Sequence, residues 1–82
     1  MNEIQARRRF AKAEAVVSYE MEHIEKQRAR IQKLRNEGHK TEQAERVLSA
    51  FEHSLAGMKH HRDILLEQLG LYEAGEAGTN AK

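Results

Sequence analysis

Apolar residues recur every seven positions through the first half of the chain, at Phe10, Val17, Ile24 and Ile31. In the second half Leu48, Leu55 and Leu69 alternate with Phe51, Met58 and Leu65 at steps of three and four. Steps of this kind lay one strip of side chains along a helix, so the pattern predicts two amphipathic helices. Asn36-Glu37-Gly38-His39-Lys40-Thr41 separates them. Helix 1 is expected over about residues 3–37, closed by Gly38 in the left-handed region, with Lys33 and Arg35 facing the negative end of the dipole. Thr41 is placed as the N-cap of helix 2 and His39 as a donor to an exposed carbonyl of helix 1. Helix 2 is expected to run to about residue 69, where Gly70 stops it. The small and polar residues 71–82 read as a flexible C-terminal tail.

A connection this short forces neighbouring helices to lie antiparallel. The fold class is therefore all-α, a coiled-coil-like two-helix hairpin over residues 1–70. Folding the chain at Gly38 opposes Ile31 to Leu48, Ile24 to Leu55, Ala13 to Leu65 and Phe10 to Leu69, and brings Val17 near Arg62. Glu20 and Gln27 fall on the same seam and interrupt it. The register puts Glu20 within reach of Arg62, which predicts a polar pair that fixes the helices against sliding, with Glu14 competing for the same arginine.

Helix 2 carries a second stripe: Val47, Ala50, Ser54, Gly57, His61, Ile64, Gln68 and Leu71. Its middle is small, so another backbone can approach closely there. A lone hairpin buries little surface, and the stripe is read as a homodimer seam that builds a four-helix arrangement. The alternative is a solvated face that happens to be small.

Composition narrows the picture further. The 82 residues contain no cysteine, which excludes disulfides and thiolate-held zinc and leaves the redox compartment open. A charged fraction of 33% against 5% aromatic suits a solvated helix pair with a thin seam. No apolar run resembles a signal peptide or reaches bilayer length, so a soluble, cytoplasmic protein without a membrane role is expected. The net charge of +1 hides an asymmetry: residues 1–40 carry ten positive and six negative side chains, residues 41–82 four and seven. Opposite signs favour pairing of the two halves.

Little catalytic chemistry is legible. Glu20 and His23 match the Glu-x-x-His spacing of carboxylate-bridged metal bundles, although a complete site needs further ligands, from a second copy or elsewhere. His23, His39, His53, His60 and His61 contain no pair at the i,i+4 spacing of a helical zinc site. His61 lies on the small stripe, where an imidazole can make an interface pH-sensitive, while the others read as solvated. Arg7, Arg8, Arg9 and Lys12 are candidate phosphate contacts, yet Glu3 and Glu14 lie among them and the nearest aromatic, Phe10, is assigned to the core. No phosphate loop and no nucleophile with a base is present, so neither an enzyme nor a cofactor is expected.

Beyond the periodicity, Gly38-His39-Lys40-Thr41, Ala44-Glu45-Arg46-Val47-Leu48 and His61-Arg62-Asp63-Ile64-Leu65 resemble a group of small alphaproteobacterial proteins of uncharacterised function, typical of rhizobia and their relatives. Arg30-Ile31-Gln32-Lys33-Leu34, Phe51-Glu52, Leu55 and Met58 extend the resemblance over about residues 24–69. Lys40 stands where that group usually has aspartate. The resemblance implies a small bacterial helical protein and supplies no activity. The expectation is thus a non-enzymatic protein-protein interaction or adaptor protein that homodimerises. A nucleic-acid-associated protein using the basic face of helix 1 is the alternative, and a dimer-built metal site at Glu20 and His23 the third reading.

Overall fold

The computed structural model describes the backbone of residues 2–80 and the side chains of residues 2–73. Two helices, α1 over Glu3–Asn36 and α2 over Glu42–Asn80, form an antiparallel all-α hairpin. Its principal extents are 68 × 18 × 14 Å. Asn2 starts α1 by a reciprocal cap: its side chain accepts the Gln5 N–H at 2.9 Å, while the Gln5 side chain accepts the Asn2 N–H at 3.1 Å. Two N–H groups that the first turn leaves without helical partners are thereby satisfied.

Reversal happens at the other end of α1. Gly38 adopts φ +76°, and its N–H donates to the Arg35 carbonyl at 3.1 Å while the His39 N–H donates to Leu34 at 2.9 Å. This pair of bonds is the Schellman closure, which needs a residue in the left-handed region. The bond expected of His39 is therefore made by its main chain. Thr41 precedes α2, and its carbonyl accepts the Glu45 N–H at 2.8 Å to begin the helical ladder.

One strip of each helix faces the other. Ala6, Ala13, Val17, Ile24 and Ile31 of α1 are buried with Ala44, Leu65 and Leu69 of α2, and Phe10, Phe51, Leu55 and Met58 are half-buried among them. None of the larger side chains described is completely enclosed, since two helices shield a seam from above and below but leave both flanks open. Along one flank Arg7 meets Glu73 at 3.2 Å, Arg28 meets Glu52 at 3.4 Å and Arg35 meets Glu45 at 3.1 Å. The arginines lie at multiples of seven along α1 and the glutamates at multiples of seven along α2, so a single antiparallel register serves them all. Exposed pairs of this kind contribute well under about 1 kcal/mol each. Their effect is to select register.

One expectation needs correction. Helix α2 does not stop at Gly70, and residues 71–80, assigned to a tail, are helical. Gly70 has no positive φ, and a helical glycine costs about 1 kcal/mol relative to alanine, too little by itself to break a ladder that Leu71 and the half-buried Tyr72 continue. The call on Ala81 and Lys82 lies outside the described residues.

No atom lies within 4 Å of a Cβ placed on Gly38, so alanine there meets no neighbour and suffers only from its backbone. Gly38→Ala is expected to lower stability by about 1–2 kcal/mol in urea unfolding, with helical content at low denaturant unchanged.

Candidate functional site

The flanks of the hairpin differ in chemistry. On the ion-paired flank a groove is lined by Met21, Glu25 and Arg28 of α1 and by Glu52, Leu55 and Lys59 of α2, with charges of both signs. The opposite groove, of about 360 Å³, has an apolar floor of Ala13, Val16, Met58 and Leu65, and a rim of Arg9, Lys12 and His61. No carboxylate lines it. Val16 is 40% exposed and Tyr19 62%, and on α2 Ile64 and Leu71 are 40% and 70% exposed. Of the small stripe, Ala50, Ser54, Gly57, His61 and Gln68 are exposed and Val47 is half-buried, so α1 leaves most of that strip open. Nothing lies within 4 Å of a Cβ built on Gly57.

Above this groove the seam contains one unresolved polar group. Glu20 is 9% exposed, and its Oε1 is buried with no hydrogen-bond partner. Arg62 does not supply one: its guanidinium pairs with Glu14 at 3.4 Å and with Asp63 at 3.0 Å. The expected Glu20–Arg62 pair is thus replaced by the competing one. Arg62 is partly exposed and reaches outward along the ion-paired flank, where carboxylates keep their hydration, whereas meeting Glu20 requires both charges to be desolvated. Gln27, the other polar seam residue, is satisfied, since its Nε2 donates to the Ala44 carbonyl at 2.8 Å.

Helix spacing scatters the remaining candidates. His23 packs its ring against Tyr19, with centroids 4.4 Å apart, and lies 5.9 Å from the Phe51 ring, an arrangement that makes it part of an aromatic cluster. Among the described residues no three His, Cys, Asp or Glu side chains converge to hold a metal, so Glu20 and His23 gain no further ligand within one chain. Arg7, Arg8, Arg9 and Lys12 do not form one patch. Arg7 is held by Glu3 at 2.9 Å and by Glu73, while Arg9 and Lys12 border the opposite groove and Arg8 is exposed. The exposed His39, His53 and His60 are dispersed along the surface. No helix is long and apolar enough to cross a membrane, among the described residues.

Sequence reasoning missed Val16 and Tyr19, which extend the apolar stripe of α2 onto α1. The signal was available, since Val16 and Tyr19 are three apart and flank the heptad position Val17. A double-mutant cycle checks the ion-pair assignment. Glu14→Ala and Arg62→Ala should couple by about 0.5 kcal/mol in stability, and Glu20→Ala and Arg62→Ala should be additive to within about 0.3 kcal/mol. No family model, curated protein or solved structure matches the chain.

Proposed function

We propose that this chain is a non-enzymatic helical interaction protein of the cytoplasm, an adaptor that self-associates through the flank bearing Val16, Tyr19, Gly57, His61 and Ile64. The observation that carries this reading is the one-sided distribution of charge pairs and small residues. Cross-helix ion pairs run along one flank beside the exposed Met21, whereas the groove on the other has no carboxylate and adjoins a strip small enough for a helix to approach.

The surface area points the same way. The chain exposes 6382 Å². A compact monomer of 9.5 kDa exposes about 5,000 Å², and burying about 800 Å² per partner is typical of a stable interface. Pairing two hairpins through the apolar flank would bury part of this excess and complete a four-helix arrangement. Both grooves are open along the hairpin, and neither brings a nucleophile beside a base, which supports a binding role over a catalytic one.

Sedimentation equilibrium tests the proposal. A dimer at micromolar concentration is expected, and a strict monomer at high concentration refutes it. Gly57→Leu places a bulky side chain on the strip and should weaken the dimer at least tenfold while leaving the hairpin helical by circular dichroism. Gly57→Ala should stabilise an isolated hairpin by about 0.5–1 kcal/mol, so loss of association cannot be blamed on unfolding.

The nucleic-acid reading draws on Arg8, Arg9 and Lys12, whose side chains are exposed on α1. Arg7, Arg28 and Arg35 are already engaged by carboxylates, so the basic surface is smaller than the count of arginines implies. Binding to duplex DNA or RNA that falls steeply with salt would favour this reading over self-association alone. Absence of binding at low salt would remove it.

A further inference from the structure

We infer that the open flank takes an acidic amphipathic helix from another protein, seated between α1 and α2 with its carboxylates against α1. This rests on reading the chain as an interaction protein, and it names the chemistry of the partner. Where the chain self-associates, a second copy and this helix compete for the same flank.

The cations of α1 fall into two classes. Arg7, Arg28 and Arg35 border the ion-paired flank, and each meets a carboxylate of α2. Arg9, Lys12, Lys26, Arg30 and Lys33 are exposed and enter no ion pair among the described residues. Even Glu22, four residues before Lys26, does not pair with it.

Heptad geometry places these five on one strip. Each stands one residue before a seam position, at Phe10, Ala13, Gln27, Ile31 and Leu34, and all five seam residues are buried or half-buried. The strip is therefore the side of α1 that gives Arg9, Lys12 and Val16 to the apolar groove. Between Lys12 and Lys26, over about 21 Å, it carries Val16, Tyr19 and His23 instead of cations. The neighbouring strip of α2, with Ala50, Ser54, Gly57 and Ile64, is uncharged there.

Each part of this surface sets a requirement on its occupant. The two cation groups, about 36 Å from end to end, call for negative charge. The groove floor of Ala13, Val16, Met58 and Leu65 calls for apolar side chains. Open space at Gly57 suits a backbone that approaches closely. A helix of about 25 residues with an apolar face and an acidic edge meets all three. A second copy does not, because neither strip carries Asp or Glu and self-association leaves the cations without counter-charge. A nucleic-acid backbone supplies charge but leaves the apolar floor in water, and a flat bilayer does not fill a groove.

The test uses the full chain and a fluorescently labelled synthetic helix of about 25 residues, with leucine along one face and glutamate along the adjoining edge. Anisotropy should show binding that falls at least tenfold when lysine replaces the glutamates. Lys26→Glu should weaken binding about fivefold, and Lys59→Glu, the same change on the ion-paired flank, by less than about twofold. Equal losses from the two substitutions, or no binding at low salt, refute the inference. So does binding to single-stranded RNA, duplex DNA or phosphatidylglycerol vesicles that Lys26→Glu weakens while the peptide's affinity stays unchanged. Sedimentation separates this inference from self-association: added peptide should convert the dimer into a one-to-one complex of hairpin and peptide. Peptide bound to an intact dimer sits on another surface and overturns the shared site. A dimer that binds no peptide overturns this inference alone, whereas a chain that is monomeric by itself and binds the peptide supports it and removes self-association.

Discussion

Everything in this hairpin depends on reversing the chain at Gly38. The closure of α1 needs a residue at φ +76°, and the two bonds it carries, Gly38 to Arg35 and His39 to Leu34, leave room for α2 to start alongside. Once the reversal is made, heptads on both arms confront each other and the register is nearly fixed. A displaced reversal would shift every layer together, moving Ile24 off Leu55 and the arginines off their glutamates.

A two-helix seam imposes its own limits. It dehydrates one strip per helix, so side chains beside that strip are neither core nor free surface. One flank has resolved this with carboxylates and guanidiniums at heptad spacing, which keep water and add little stability. The other flank has not. It leaves Val16, Tyr19 and Ile64 exposed beside the seam that holds Glu20.

The helices, the turn and the core were legible because their signals are periodic or conformational. Heptads reveal a buried strip, and Gly38 was identifiable as a helix end because lysine and arginine precede it and a capping threonine follows. The Asn2–Gln5 cap was visible in the same way and was overlooked. What escaped was decided by side-chain reach. The heptad spacing allows either Glu14 or Glu20 to reach Arg62, and the preference for Glu14 reflects hydration of an exposed carboxylate, which spacing alone does not encode. The continuation of α2 past Gly70 was missed for a related reason: a glycine weakens a helix by an amount that a continuing hydrogen-bond ladder offsets.

The ion-paired flank repeats with the same seven-residue period as the seam, and neither repeat refers to any feature outside itself except the turn. Length is consequently a free parameter of this architecture. Adding or removing one heptad from each arm, at matched heights, would lengthen or shorten the rod by about 10 Å without altering a single kind of contact. Selection can thus tune the molecule's span independently of its fold, much as the spacing of a ruler is independent of its material.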